Sequence, residues 1–186
     1  MLSDARILGD SVSEPAMFSS LYERHLGAVA RYVARRAGAE LREDLTAEVF
    51  VRAFRGRAVF RDDHGSALPW LLGIANHLIA DHRRAERRRL EMLRRLATTR
   101  PVSSETSLGA LAPELVAELL RLPAADRDTL LLVVWGELSY AEAATALSVP
   151  VGTVRSRIAR ARQRLGAAIG QPAGPDAPIV NGESHA

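Results

Sequence analysis

The sequence predicts an all-α fold made of two small helical domains joined by a flexible linker, with a helix-turn-helix in the C-terminal domain. Apolar residues recur every three or four positions through residues 14–96 and 113–170, and no segment alternates as a strand would. Residues 97–112 are small and polar and include a proline and a glycine, which is typical of a linker. A chain of 186 residues that is 47% hydrophobic has enough apolar surface for two such cores.

The N-terminal domain is predicted to contain three helices preceded by a tail. Residues 1–13 are rich in Ser, Asp and Gly and are expected to be mobile. The first helix should cover residues 14–38 and the second about residues 41–57. The third begins near Leu68, with Pro69 in its first turn, and continues into an arginine-rich stretch. The apolar stripe of the first helix consists of Phe18, Tyr22, Leu26, Val29 and Val33.

The C-terminal domain is predicted to contain four short helices, over residues 113–122, 124–135, 139–147 and 151–169. Ser139 and Glu142 form a capping-box pattern at the start of the third helix, because each side chain can bond the other residue's backbone N–H. The third helix, a break at residues 148–150 and the fourth helix together give the helix-turn-helix. Residues 171–186 are rich in Pro and Gly and are expected to be disordered.

Composition excludes several classes of protein. The sequence has no cysteine, which rules out disulfides, thiol catalysis and cysteine metal sites. No apolar run reaches the roughly 18 residues that span a bilayer, and the first 14 residues lack the apolar core of a secretion signal. We therefore expect a cytoplasmic protein with no membrane insertion.

Charge is strongly segregated along the chain. Residues 51–100 carry a net charge of +7 and residues 151–186 one of +3, whereas residues 1–50 and 101–150 carry −2 and −5. Two basic blocks separated by a linker are compatible with two contacts on one polyanion. Two solvated helix faces are the plainer alternative.

The predicted last helix has the surface of a DNA-reading helix. Its apolar residues share one stripe, which should pack inward: Val154, Ile158, Ala161 and Leu165. The opposite face consists of Gly152, Ser156, Ala159, Arg160 and Gln163, bordered by further arginines. Small residues permit close approach to base edges, and arginines can meet phosphate. A solvated face would mix Glu and Arg at i,i+4 spacing, yet no acid occurs between residues 151 and 169.

The arginine run of residues 82–89 covers every side of its helix. Consecutive like charges destabilise a helix unless something neutralises them, and a phosphate backbone does so. Trp70, Asn76, His77 and Asp81 precede the run. Aromatic and polar side chains beside arginines suit single-stranded bases, which need stacking and edge hydrogen bonds. Two alternatives stay open, with Trp70 as a core residue and His77 as a surface imidazole without a special role.

Three segments resemble elements of bacterial sigma factors. Residues 138–165, LSYAEAATALSVPVGTVRSRIARARQRL, resemble their promoter −35-binding module, most densely over residues 150–157. Residues 44–55, DLTAEVFVRAFR, resemble the helix that grips the polymerase clamp. Residues 67–88, ALPWLLGIANHLIADHRRAERR, resemble the −10-recognition segment. With only these two modules and a short linker, the chain resembles the extracytoplasmic-function (ECF) class.

The resemblance implies partners and the residues that meet them. The partners are core RNA polymerase, through the clamp helices of its largest subunit and the flap of its second-largest subunit, and promoter DNA, duplex at −35 and single-stranded at −10. Factors of this class are commonly held by an anti-sigma factor, and no cofactor is implied. The polymerase contacts would be Asp44, Leu45, Glu48, Val49 and Arg52. The −10 contacts would be Arg61, His64, Ser66, Trp70, Asn76, His77, Asp81, Arg83, Arg84, Arg87 and Arg88. The −35 contacts would be Tyr140, Thr153, Arg155, Ser156, Arg157, Ala159 and Arg160.

The chain departs from the family pattern at three points. Family members often read Arg-Ile-Ala-Arg-Asn after the Trp and two apolar residues, where this chain has Gly-Ile-Ala-Asn-His at residues 73–77. His77 thus stands at the position of the pocket asparagine, which predicts a changed −10 base preference. Ala159 stands where a larger side chain often lies, which predicts a changed −35 preference. The linker is neutral, with Arg100 against Glu105, where many such linkers are acidic.

Two other classes of function compete with this interpretation. An autonomous helix-turn-helix regulator would use residues 1–96 for sensing or dimerisation and would bind a specific duplex without polymerase. An enzyme would need a site, and the sequence shows no Gly-rich phosphate loop and no paired-carboxylate pattern. His77 and His82 are five residues apart, which misses the i,i+4 spacing of a helical zinc pair. We therefore expect neither a catalytic nor a metal site.

Overall fold

The computed structural model describes residues 2–61, 64–96 and 113–169, which contain no strand. Within those ranges the chain forms α1 (Asp4–Ser13), α2 (Phe18–Ala37), α3 (Arg42–Gly56), α4 (Leu68–Leu96), α5 (Pro113–Arg121), α6 (Ala124–Trp135), α7 (Tyr140–Leu147) and α8 (Val151–Ile169). Short 3₁₀ turns occupy Pro15–Met17 and Arg57–Val59. The prediction of an all-α fold with two helical domains is confirmed. The predicted linker, 97–112, and tail, 171–186, lie outside the described residues.

Helix α1 corrects the prediction of a mobile tail over residues 1–13. Ser3 caps this helix by accepting a hydrogen bond from the backbone N–H of Arg6 at 3.3 Å. Ile7 and Leu8 are buried in the N-terminal core. The polar composition of the segment hid this short apolar stripe, and one of its polar residues, Asp4, is itself buried.

The carboxylate of Asp4 ties α1 to two other helices. It accepts hydrogen bonds from the backbone N–H of Ala67 at 2.7 Å, from His25 Nε2 at 2.6 Å and from Arg24. Burial acts to raise the pKa of Asp4, but these donors outweigh it and hold that pKa below its ordinary value. The network fixes α1 against α2 and against the start of α4.

The N-terminal core is the space enclosed by α2, α3 and α4. Leu21, Val33, Val49 and Ala75 are among the side chains fully buried there. The predicted stripe of α2 is partly displaced, because Tyr22 is exposed and lies edge-on to Phe50 at 4.7 Å between ring centroids. Helix α2 therefore packs on α3 and α4 with Tyr22 at the edge of the core.

The C-terminal domain builds the helix-turn-helix from α7 and α8. Its predicted capping box is present, with the Ser139 N–H donating to Glu142 Oε2 at 2.8 Å and the Glu142 N–H donating to Ser139 Oγ at 3.2 Å. After α7 the chain reverses at Ser148, which adopts the left-handed conformation with φ 53°. Helix α8 then buries the predicted side chains of Val154, Ile158 and Ala161.

The two domains are packed directly against each other, chiefly through α4 and α7. The backbones approach so closely that a Cβ built on Gly73 would lie 2.5 Å from the carbonyl oxygen of Ala146. A Cβ built on Gly136 would lie 2.9 Å from Leu72 Cδ1. Only glycine permits such an approach.

Polar contacts reinforce this packing. Arg36 Nη2 on α2 donates to Asp128 Oδ1 on α6 at 2.7 Å, and the Arg36 side chain is fully buried. His64 Nε2 lies 2.7 Å from Thr145 Oγ1 on α7. We refer to this packing of α4 on α7, with the Arg36–Asp128 ion pair, as the closed arrangement.

Candidate nucleic-acid interface

The outward face of α8 lies on solvent. Gly152, Ser156, Ala159 and Gln163 are exposed, as the helical stripe predicted, and so is Arg155 beside them. Ser156 folds its hydroxyl back and donates to the carbonyl of Thr153 at 3.0 Å, which keeps the side chain close to the helix. The helix therefore offers a low surface with a cationic border, the shape that enters a major groove.

Arg160 is held by a carboxylate that sequence reasoning missed. Its Nε and Nη2 donate to the two oxygens of Asp126 on α6, at 3.1 and 2.8 Å. The hydrogen bond from Arg160, with added attraction from Arg157 and Arg164, holds the pKa of Asp126 below its ordinary value. The pair joins residues 34 positions apart, and no local sequence pattern signals such a contact.

Three further −35 candidates, Tyr140, Thr153 and Arg157, are only partly accessible. Arg157 is half-buried, and its Nη1 lies 3.5 Å from Thr129 Oγ1 on α6. Tyr140 is half-buried at the start of α7. The fully solvent-facing part of the predicted −35 set is thus concentrated on Arg155, Ser156, Ala159 and the outer part of Arg160.

The arginine run forms a cationic surface on the second half of α4. Arg84, Arg87 and Arg88 are exposed, and Asp81 forms an ion pair with Arg84. Arg83 differs from its neighbours, because it is half-buried and donates to the backbone carbonyl of Arg36. The run therefore presents three of the four predicted arginines to solvent.

Asn76 and His77, adjacent in sequence, occupy opposite environments. Asn76 is buried, and its Oδ1 accepts hydrogen bonds from Arg36 Nη2 at 3.1 Å and Tyr32 Oη at 3.4 Å. In the closed arrangement it supports the domain contact and does not reach a base, which corrects its placement as an accessible −10 residue. His77 is exposed, with Nδ1 donating to the carbonyl of Gly73 at 2.9 Å.

The residues that precede α4 are used mainly in local packing. Ser66 Oγ accepts from the Leu68 N–H at 3.2 Å and so caps the helix. Trp70 is half-buried, with its ring 5.1 Å from that of Phe60. His64 makes the contact with α7 described above. Of the predicted pocket residues in this segment, Arg61 is the one exposed to solvent.

Helix α3 presents a mixed surface of charge and one apolar residue. Asp44 is exposed, and Glu48 and Arg52 form an ion pair at 2.9 Å on the same side. Val49 is fully buried, so its placement among the surface contacts is corrected to a core position. Sequence reasoning missed Val51, which is 41% exposed and three residues after Glu48. Val51 follows Asp44 by seven residues and Glu48 by three, and this helical spacing could have placed it on the same face.

Two kinds of feature are absent from the described part of the chain. None of its helices is both long and apolar enough to cross a membrane. No group of three or more His, Asp or Glu side chains in those residues is placed to hold a metal ion.

Comparisons with known proteins agree with this geometry. Residues 21–89 match the family described as Sigma-70 region 2, and residues 113–165 match Sigma-70, region 4. The ECF RNA polymerase sigma factor SigC of Mycobacterium tuberculosis is 37% identical over 139 residues, covering 74% of this chain and 75% of that protein. This chain belongs to the ECF sigma factors.

Further relatives are consistent with membership of the ECF sigma factors. The ECF RNA polymerase sigma factor SigL of Mycobacterium tuberculosis is 31% identical over 158 residues, covering 83% of this chain and 89% of that protein. The solved structure of the sigma factor RpoE with the anti-sigma factor NepR from Bartonella quintana has a TM-score of 0.60 at 21% identity. It covers 82% of this chain and 96% of that one, which shows the shared fold. The chain is a transcription initiation factor that recognises promoters together with RNA polymerase.

Proposed function

We propose that this ECF sigma factor acts by binding alone, through three separate surfaces, and leaves all chemistry to the polymerase. Helix α8 reads the −35 duplex, the cationic surface of α4 holds the opened −10 strand, and α3 grips the largest subunit of the polymerase. The flap of the second-largest subunit is expected to hold the C-terminal domain. Since bacterial polymerase and chromosome share the cytoplasm, the factor acts there. An anti-sigma partner stays a prediction from the family resemblance.

The exposed face of α8 carries the −35 part of the proposal. The centre of this face has only small side chains, those of Gly152, Ser156 and Ala159, and Arg155 at its border is cationic. Close approach of the backbone allows side chains to reach base edges while arginines contact phosphate. Because Asp126 holds Arg160, that arginine is proposed to contact phosphate through its outer edge and to keep α8 fixed on α6.

The exposed arginines of α4 support the −10 part. Three cationic side chains on one helix attract a phosphate backbone by counterion release, and this attraction does not depend on sequence. His77, exposed at the N-terminal edge of this surface, is then placed to contact a base. Holding one strand in this way favours separation of the duplex, because the bound strand is withdrawn from pairing.

The closed arrangement must open for both elements to be bound at once. The centres of the −35 and −10 elements are roughly 25 base pairs apart, which is about 85 Å along B-DNA at 3.4 Å per step. Domains in direct contact cannot reach two sites so far apart. The sixteen residues between α4 and α5 can extend to about 55 Å. Together with the width of two domains, this reach permits the separation.

Run-off transcription on sheared genomic DNA, with core polymerase in the presence and absence of the protein, tests the proposed function. We expect discrete new transcripts that share paired motifs at −35 and −10. Asp44→Ala combined with Glu48→Ala should abolish them together with co-elution with core polymerase. Glu43→Ala is the control. Glu43 is also an exposed acid of α3, but it lies outside the i,i+4 pair of Asp44 and Glu48, so its loss should leave the transcripts and the co-elution unchanged.

Two outcomes would contradict the proposal. Unchanged co-elution of the double variant would show that α3 is not the polymerase contact. An absence of new transcripts alongside tight, polymerase-free binding to a palindromic duplex would favour an autonomous regulator, with residues 1–96 serving another purpose.

A further inference from the structure

A cavity lies in the cleft between the two domains, and two of its lining arginines, Arg83 and Arg87, also belong to the predicted −10 set. Its volume is about 350 Å³, within the range of small-molecule sites. Side chains of α2 and α4 line one side, and side chains of α5 and α6 line the other. Leu41 and Leu120 supply part of an apolar wall. The polar lining includes the guanidinium groups of Arg36, Arg83, Arg87 and Arg127.

The cationic groups of this cleft are only partly neutralised. Four guanidinium groups face two carboxylates, Glu86 in the lining and Asp128 beside it, which leaves a formal charge of +2. Arg36 is fully buried, yet its Nε and Nη1 have no hydrogen-bond partner among the described residues. Arg127 Nε is likewise buried without a hydrogen-bond partner in that part of the chain. Buried donors and charges of this kind are costly unless they are paired.

The pKa of Arg83 reflects the same excess of positive charge. Burial and repulsion from Arg36 and Arg127 lower the pKa of Arg83 to about 10. Burial, together with repulsion from Arg36 and Arg87, also lowers the pKa of Arg127. An anion in the cleft would offset the repulsion among these guanidinium groups.

We infer that the interdomain cleft is a binding site for a small phosphate-bearing molecule, held by arginines of both domains. A phosphate group can accept hydrogen bonds from several guanidinium groups at once. It therefore fits a site with four arginines better than a single carboxylate does. The apolar wall would contact the organic part of a phosphate ester. A cavity of about 350 Å³ admits such a molecule and excludes a DNA duplex, although the site shares Arg87 with the cationic surface of α4.

Because the site lies between the domains, ligand binding would affect how the domains are arranged. Arg36, Arg83 and Arg87 belong to the N-terminal domain and Arg127 to the C-terminal domain. Only the closed arrangement brings all four together, so the ligand binds that arrangement in preference to an open one. By linkage, bound ligand shifts the population towards the closed arrangement.

Isothermal titration of the full-length protein with inorganic pyrophosphate, at constant ionic strength set by chloride, tests the inference. We expect saturable binding with one site per chain. Arg127→Gln should weaken it about tenfold, the effect of losing one charge-assisted hydrogen bond. Arg89→Gln removes the same charge from an exposed position of α4 outside the cleft and should leave binding unchanged. Circular dichroism checks the fold, and Arg87→Gln takes the place of Arg127→Gln if that variant misfolds.

A fourth variant separates an interdomain site from a basic patch on α4. Gly73→Gln keeps every arginine but places a side chain where a Cβ already meets the backbone of Ala146, so it should open the cleft and weaken pyrophosphate binding. Equal affinity in all variants, or heats that never saturate, would overturn the inference. Loss of binding in Arg127→Gln with full binding in Gly73→Gln would overturn its interdomain form. Since no polymerase is present, none of these results depends on the proposed function.

Discussion

Gly73 is the residue at which a one-carbon change should separate the two domains. A Cβ at this position would lie 2.5 Å from the carbonyl oxygen of Ala146 and 3.2 Å from its carbonyl carbon. Ordinary contact begins near 3.4 Å, so α4 and α7 would have to move apart by almost 1 Å. The obstacle is backbone on a helix, which cannot rotate aside as a side-chain tip can.

Two effects of opposite sign act on Gly73→Ala. Alanine favours the interior of a helix over glycine by about 1 kcal/mol, which stabilises α4 itself. Forcing the Cβ into the domain contact costs about 1–3 kcal/mol, which destabilises the closed arrangement. If the domains separate, the strain and the favourable packing between α4 and α7 are lost together, while the gain in helix propensity remains. We therefore expect the domains to part and the stability of the N-terminal domain to change by no more than about 2 kcal/mol.

Distance measurement between two labels checks this expectation. The chain has no cysteine, so Ser20→Cys and Gln163→Cys, both exposed, give a single labelled pair across the domains. Electron paramagnetic resonance should show a longer and broader distance distribution in Gly73→Ala than in the parent. Gly27→Ala is the control, since this glycine lies mid-helix in α2, meets only the tip of Arg31 and should raise stability without changing the distance. An unchanged distribution in Gly73→Ala would refute the reasoning.

Three further predictions concern single side chains. Asp4→Asn should destabilise the protein by about 2 kcal/mol at pH 7 in urea unfolding, because three donors lose a charged acceptor. Since the folded pKa of Asp4 lies below the ordinary 3.8, this difference should be complete above about pH 4 and shrink as the pH falls through the folded pKa; a difference that grows in acid would contradict it. Asp126→Asn should release Arg160 for phosphate and steepen the salt dependence of duplex binding by about 0.9 in log K against log salt, whereas Glu118→Gln, an equal charge change at a carboxylate paired with Arg121 on its own helix, should not. His77→Asn should change the preferred −10 base in transcription from a library of −10 variants, and a uniform loss across that library would show that His77 is structural.

Features set by local spacing were predicted well from the sequence. The capping box at Ser139 and Glu142 needs only residues three apart, and it is present. The buried stripe of Val154, Ile158 and Ala161 follows from helical periodicity, and it is confirmed. The exposed face of α8 follows from the same periodicity. Each of these features lies within about a dozen consecutive residues, so the local sequence contains the information.

Features set by distant contacts could not be predicted. The burial of Asn76 depends on Arg36, 40 residues earlier, and the position of Arg36 depends on Asp128, 92 residues later. The pairing of Arg160 with Asp126 likewise joins two helices. Helix α1 escaped prediction because the burial of Asp4 is satisfied by donors from α2 and from the residue before α4. The departure at Gly73 was visible in the sequence, but its meaning required the position of Ala146.

In the closed arrangement the two proposed DNA surfaces differ in how accessible they are. Helix α8 lies on solvent while Asn76 is covered, so a closed molecule can already scan duplex DNA by its recognition helix. Asn76 is bound by Arg36, whose partner Asp128 belongs to the other domain, so parting of the domains would loosen the contact that holds Asn76. If α8 and α4 have the roles that we propose, the molecule meets intact duplex first and an opened strand afterwards.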